Sequence, residues 1–193
     1  MISVEVEKGV IRSLEKNLEG SGARHTDALK RAINETAKQT QKKLLTEAQK
    51  TYVIKAGRFK KAMSVKLATQ RKLVAVIGAT GRVTELKDFK VSPARYYTGE
   101  NRPDIIKGKG LRKNNLKKLQ KGDIKAFVIK FASGHISVAQ RVAKSRLPVK
   151  ILYSPSIPKM LGNEDKVFGT IKPEIYKDLQ DNLDKYVKQA REG

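Results

Sequence analysis

Residues 139–161 read AQRVAKSRLPVKILYSPSIPKML, and this stretch says more about the fold than any other part of the chain. Three cations lead into the apolar run 149–153, which ends at a turn marked by Pro155 and Pro158. Proline is tolerated at the ends of a strand but not at its centre. The pattern therefore predicts a short strand bounded by prolines. The side chains predicted to lie in the core are Leu147, Val149, Ile151 and Ile157.

The residues before this stretch alternate in the manner of strands. Residues 124–131 and 135–142 flank Ser133 and Gly134, which predicts a β-hairpin. Residues 63–67 and the apolar run 73–77 predict a second antiparallel pair, and 86–91 is a candidate third strand. Before residue 63, Gly57 is expected to end a helical region.

Helical spacing dominates both ends of the chain. Residues 28–50 have an apolar stripe at intervals of three and four, with cations on the opposite face. Residues 2–6 alternate briefly before a helical pattern around 10–18, and Pro173 is expected to open the last helix. The fold class predicted is α+β, with N- and C-terminal helices packed on a mainly antiparallel β-sheet, in a single domain over 1–193.

Residues 93–122 have little apolar periodicity and many cations, which predicts a long basic loop or arm inserted in the domain. Three interpretations of its basic part, 107–125, stay open: a solvated loop, a contact with DNA, or a contact with an acidic face of another protein. The absence of aromatic residues argues against base stacking, so contacts with DNA would be made to phosphates. The candidate DNA-contacting residues are Lys107, Lys109, Arg112, Lys113, Lys117, Lys118 and Lys121.

The net charge of +23 is unevenly distributed along the 193 residues. Residues 24–72 carry 14 Lys and Arg against 3 acids, and residues 87–150 carry 17 against 4. Residues 164–193 carry 6 against 7 and are nearly neutral. Charge of this size favours a polyanionic partner or an acidic neighbour over a free monomer.

No set of residues predicts catalysis, a cofactor or a metal. The chain has no cysteine, which excludes disulfides and thiolate ligands. His25 and His135 have no carboxylate at a recognisable spacing, and the turn at 78–82 lacks the Lys-Ser/Thr ending of a phosphate loop. The N-terminus lacks a signal-peptide pattern, and no apolar run is long enough to span a membrane.

Several short motifs occur in the order that is typical of one family. They are Ala28-Leu29-Lys30-Arg31-Ala32-Ile33-Asn34, Ala126-Phe127-Val128, Gln140-Arg141, Arg146-Leu147-Pro148-Val149 and Pro155-Ser156-Ile157-Pro158. In these residues the chain resembles the lambda-type minor tail protein Z family of tailed phages. It is also similar to the wider group of small tail-completion and head–tail joining proteins. Residues 90–122 depart from the family pattern.

The resemblance implies a structural virion protein, not an enzyme, that completes the tail at its head-proximal end. It implies a homo-oligomeric ring, in the form of a hexameric collar assembled in the host cytoplasm. It also implies tail-tube and neck proteins as neighbours, and double-stranded DNA passing through. The candidate subunit or neighbour contacts are Arg31, Lys38, Lys42, Arg141, Arg146, Glu164 and Asp165. The alternative function is a basic nucleic-acid-binding module of a non-viral type.

Overall fold

The structure, a computed structural model, describes residues 2–5, 22–54 and 56–192. The helix expected around residues 10–18 lies outside the described residues. The predicted α+β class is confirmed, with long helices near both ends and several small antiparallel sheets between them.

The first helix, α1, runs from Gly22 to Thr51 and is longer than the sequence suggested. Its apolar stripe is fully buried, with no exposed surface at Ala32, Ile33 or Leu44. Burying a side chain the size of Ile or Leu stabilises a fold by about 1.5–3 kcal/mol. The stripe thus fixes which face of α1 points into the core.

The last helix, α4, runs from Phe168 to Glu192 and packs along α1. The two helices are antiparallel, because Asp178 of α4 contacts Lys43 of α1, whereas Asn182, further along α4, contacts Thr36, which is earlier in α1. The prediction that Pro173 opens this helix is wrong, since Pro173 lies inside it. The start is set instead by the preceding loop, where the carbonyl oxygen of Asn163 accepts from the backbone N–H of Phe168 at 2.9 Å.

A short helix, α2, spans Ala56–Ala62 and follows α1 directly. Gly57 lies inside α2, so the expectation that it ends the helical region is wrong. The helix buries Phe59 completely. A second short helix, α3, spans Ile157–Leu161 and buries Ile157, Met160 and Leu161. These two helices close the largest apolar cluster against the second half of α1.

The described chain contains four small antiparallel sheets, formed by one strand at its start and by eleven strands between the two long helices. The strands are β1 (Ile2–Glu5), β2 (Met63–Lys66), β3 (Val74–Ala79), β4 (Thr84–Glu85), β5 (Lys90–Ser92), β6 (Lys107–Lys109), β7 (Lys117–Lys118), β8 (Gln120–Lys121), β9 (Ile124–Lys130), β10 (Ile136–Arg141), β11 (Val149–Ile151) and β12 (Tyr153–Ser154). Their orders are β1-β3-β2, β11-β10-β9-β8, β12-β4 and β5-β6-β7. The predicted strand pairs β2–β3 and β9–β10 are therefore confirmed.

Residues 93–122 contain more regular structure than their sequence suggested. Strands β6, β7 and β8 lie within this segment, and Ile106 just before β6 is only 2% exposed. The backbone N–H of Leu119 donates to the carbonyl oxygen of Ile106 at 2.8 Å. The sequence did not reveal this order because the apolar residues that pack inward, among them Ile106 and Leu119, are widely spaced among lysines and show no period.

The proline-bounded stretch splits into two strands. Leu152 separates β11 from β12 and donates its N–H to the carbonyl oxygen of Val138 at 2.9 Å. Ile157 is buried, and Val149 and Ile151 are half-buried. The prediction that Leu147 belongs to the core is wrong, because this side chain is 70% exposed in the loop before β11.

Candidate functional site

The candidate DNA-contacting residues lie on neighbouring strands and in the turn that joins two of them. Lys107 and Lys109 lie on β6, Lys117 and Lys118 on β7, Lys121 on β8, and Arg112 and Lys113 between β6 and β7. All of these side chains are exposed except Lys109, which is partly buried. The fold therefore brings this set of cations to the surface of one region.

The register of β5, β6 and β7 places four lysines on one face of their sheet. Lys90 is directly opposite Lys109, and Lys107 is directly opposite Lys118. Because opposed residues and residues two apart along a strand share a face, these four side chains project to the same side. We call this surface the lysine face; it also contains Ser92.

The opposite face of this small sheet packs into the protein at Val91 and Gly108, whereas Lys117, which is opposite Gly108, is exposed. Val91 is 9% exposed and belongs to the apolar cluster of Ile106, Ala126 and Val138. Gly108 lies beside Val91, and a Cβ placed on it would meet the Leu119 side chain at 3.1 Å. The lysine face is thus held outward by burial of the face behind it.

Arg112 connects the lysine face to the end of α1. Its Nε donates to the carbonyl oxygen of Gln49 at 2.5 Å, and its backbone N–H donates to the carbonyl oxygen of Thr51 at 2.9 Å. The Nζ of Lys109 in turn donates to the carbonyl oxygen of Arg112 at 3.0 Å. These bonds fix the turn between β6 and β7 against a long helix.

A groove of about 380 Å³ lies beside this region and is lined by Arg58, Lys87, Lys90 and Arg112, among others. Its one acidic residue, Asp88, accepts from Arg58 at 2.8 Å. The remaining cations in the groove keep the local charge positive.

The candidate contact residues on α1 have different surroundings from one another. Arg31, Lys38 and Lys42 are all exposed, as the helical spacing predicted. Arg31 pairs with Asp27 at 2.6 Å, and the hydrogen bond from Lys30, with help from Arg31, keeps the pKa of the Asp27 carboxyl below its usual value. Within residues 25–54 and 57–192, Lys38 and Lys42 have no ion pair and present free charge.

A cation of α1 meets two carboxylates of α4 within a single chain. The Nζ of Lys43 lies 2.8 Å from carboxylate oxygens of both Glu174 and Asp178. Burial acts to lower the pKa of Lys43, but the two carboxylates outweigh it and raise the pKa above its usual value. These carboxylates of α4 therefore neutralise a cation of α1 inside the subunit.

Arg141 is the last residue of β10, and Arg146 lies in the segment that leads from it to β11. All eight residues of 141–148, which we call the loop 141–148, are exposed. Besides its cations, this loop carries Val142, which is 55% exposed, and Leu147. Cations and large apolar side chains thus share one projecting segment.

Glu164 and Asp165 are exposed in the loop between α3 and α4. Asp165 lines a groove of about 250 Å³ together with Lys50, Lys113 and Lys166. This acidic pair therefore lies near cations of its own chain.

The sequence analysis missed a polar cluster around Glu85. The carboxylate of Glu85 accepts from Ser137 at 2.6 Å and lies 3.1 Å from Nε2 of His135. His135 therefore has a partner carboxylate that its spacing in the sequence did not reveal. Burial acts to raise the pKa of Glu85, but the Ser137 and His135 hydrogen bonds, with the charge of Lys87, lower it below its usual value. The serine hydroxyl points at the carboxylate and not at the histidine, so the cluster is not a nucleophile with its base.

Lys90 is the other residue that sequence reasoning missed, because only strand pairing brings it beside Lys109. In the described ranges no group of three or more His, Cys, Asp or Glu is placed to hold a metal ion. Nor does the described part of the chain include a helix with the length and apolarity to cross a bilayer.

Comparison with known proteins gives one match. No curated protein and no solved structure matches the chain significantly. The model of the prophage minor tail protein Z family matches residues 8–191, which is nearly the whole chain. The chain therefore belongs to the prophage minor tail protein Z family and is a structural component of a phage tail.

Proposed function

We propose that this protein completes the tail at its head-proximal end, as one subunit of a hexameric ring through which the genome passes. The observation that carries the proposal is the family match over residues 8–191, which includes the proline-bounded stretch that resembles tail-completion proteins. A ring of this kind requires two different surfaces on each subunit, one for each neighbour.

The loop 141–148 supports the proposal as one of these surfaces. Its eight exposed residues combine Val142 and Leu147 with Arg141, Lys144 and Arg146. Large apolar side chains are more frequent in the core of a protein interface than charged ones, and arginine is enriched there too. We propose that this loop binds the next copy of the chain in the ring. Free cations at Lys38 and Lys42 are proposed to face the same neighbour or a neck protein.

The test is made in a lysogen that encodes the protein. With the gene disrupted, induction is expected to yield filled heads and tails that do not join into infectious particles. Complementation with the full chain is expected to restore infectivity, and a tagged chain is expected at the end of the tail that meets the head. Normal infectious particles without the protein, or label at the distal tip, would contradict the proposal.

A pair of variants tests the loop itself. Arg141→Glu with Arg146→Glu is expected to leave the protein folded but unable to complement, since both side chains are exposed. Lys66→Glu with Lys72→Glu makes the same charge change at exposed positions outside the loop. Equal complementation by both variants would show that the loop is not part of the interface.

The alternative, a nucleic-acid-binding module of a non-viral type, makes the opposite predictions. It expects a monomer by mass measurement in solution and unaltered particles when the gene is disrupted. No described residue favours it over the tail role, since a polyanion-binding surface is compatible with both.

A further inference from the structure

We propose that the lysine face of the β5-β6-β7 sheet binds the phosphate backbone of double-stranded DNA. The inference deepens the proposed function and rests on it only for the identity of this DNA as the phage genome. The binding chemistry itself is argued from the sheet.

The cations of this face are arranged as two opposed pairs. Lys90 and Lys109 form one pair, and Lys107 and Lys118 form the other, two residues further along β6. Opposed residues in such a sheet lie about 5 Å apart, and residues two apart along a strand lie about 7 Å apart. About 7 Å of duplex axis carries about four phosphate charges on its two strands. The face therefore presents roughly as many charges as the length of duplex that it spans.

This arrangement opposes the stability of the free protein. Like charges directly opposite each other on neighbouring strands destabilise a sheet. No ion pair involves Lys90, Lys107, Lys109 or Lys118 within the described part of the chain. The face is nevertheless kept outward by the buried Val91 and Gly108 behind it. An external polyanion would remove the repulsion, which is the physical reason to expect one.

The chemistry of the face favours a nucleic acid over an acidic protein. Its side chains are the four lysines and Ser92, and it has no apolar or aromatic residue of the kind that anchors a protein interface. The same lack of aromatic side chains disfavours single strands, which bind largely by stacking of bases. Lysines that contact phosphates bind without regard to sequence. Such contacts suit a surface past which a whole genome moves.

Arg112 extends the same surface toward α1. Lys109 is bonded to its carbonyl oxygen, and Arg112 is itself held by Gln49, so this cation lies beside the Lys90–Lys109 pair. The groove that contains Lys90 and Arg112 continues the positive surface past the sheet edge.

The experiment measures binding of the purified full chain to a fluorescent duplex of random sequence by anisotropy, over a range of salt concentrations. The variant is Lys90→Gln, Lys107→Gln, Lys118→Gln. The control, Lys66→Gln, Lys72→Gln, Lys177→Gln, removes the same three charges from exposed positions elsewhere. Each lost phosphate contact reduces the slope of log K against log salt by about 0.9. We expect the lysine-face variant to lose about 2 to 3 units of slope and to bind on the order of 100-fold more weakly at 0.1 M salt.

The thermal midpoint without DNA supplies a second readout. The lysine-face variant is expected to melt no lower than the wild type, because it removes repulsion between opposed lysines. Equal slopes for the variant and the wild type, or an equal loss of slope in the control, would overturn the proposal. So would a preference of the wild type for polyglutamate over duplex DNA of the same charge. A tail role at another position would leave these binding results unchanged, so the two proposals fail separately.

Discussion

Thr36 and Thr40 lie one turn apart on α1, both without exposed surface, yet their hydroxyl groups have opposite surroundings. The Thr36 hydroxyl donates to the carbonyl oxygen of Ala32 at 2.9 Å and accepts from Nδ2 of Asn182 at 2.9 Å. The Thr40 hydroxyl is buried without any hydrogen-bond partner in the described residues. Replacing each threonine by valine keeps the shape of the side chain and removes only the hydroxyl.

The two substitutions are expected to change stability in opposite directions. Thr36→Val leaves the Asn182 amide with one of its two acceptors inside the α1–α4 contact, and losing a buried partner costs about 1–3 kcal/mol. Thr40→Val removes a hydroxyl that is desolvated without compensation, which in proteins costs about 1–3 kcal/mol. Its removal should therefore raise the free energy of unfolding by a similar amount. For a chain of this size, 1 kcal/mol corresponds to a change of about 2–4 °C in the thermal midpoint.

Urea unfolding followed by far-ultraviolet circular dichroism measures both changes, with equal m-values as the check that the unfolded states are comparable. A destabilising Thr40→Val would show that this hydroxyl has a partner, and the argument from its isolation would fail. A neutral Thr36→Val would show that the bond to Asn182 contributes nothing to the packing of the two helices.

Two further predictions concern backbone fit and pH. Gly169→Ala is expected to destabilise the protein by about 3 kcal/mol or more in thermal melts, because a Cβ there collides with the carbonyl oxygen of Glu164. Gly57 lies inside α2 with open space around it, so Gly57→Ala should be neutral or stabilising by up to about 1 kcal/mol in the same melts. Glu85 has a folded-state pKa below its usual 4.5, so its contribution to stability is present above that pH and is lost as the pH falls through the folded value. Glu85→Gln should therefore destabilise at pH 7 and approach the wild type only as the pH falls below 4.5 and through the folded-state pKa. The exposed control Glu100→Gln should follow the wild type throughout. A constant deficit for Glu85→Gln would contradict the linkage.

The elements that could be predicted from the sequence are those with local patterns. The stripe of α1 and the alternation of β9 and β10 each repeat over enough residues to indicate their structure. Leu147 was assigned to the core by extending the apolar run backward, but the loop before β11 carries this residue away from the sheet. Pro173 was assigned to a helix start because proline is favoured there, yet a fixed loop upstream already starts α4.

The candidate site was only partly predictable, for a different reason. Exposure of Lys107 and Lys118 followed from composition, but their common face with Lys90 depends on pairing between strands that are far apart in the sequence. The contact between His135 and Glu85 likewise joins residues that are 50 positions apart. The periodicity of a sequence indicates the structure of one helix or strand at a time. It therefore gives no information about which distant strands or residues pair.

The antiparallel packing of α1 on α4 has a consequence for the order in which the protein is made. Residues 52–167 separate the two helices, and at about 5–20 residues per second the ribosome needs roughly 6 to 23 s to synthesise them. During that time part of the apolar stripe of α1, including Ala32 and Ile33, lacks the cover that Leu183 of α4 provides. A chain that stops early therefore keeps this stripe exposed and is directed toward chaperones and proteases. We therefore expect most incomplete copies to be removed before they can assemble with a neighbour.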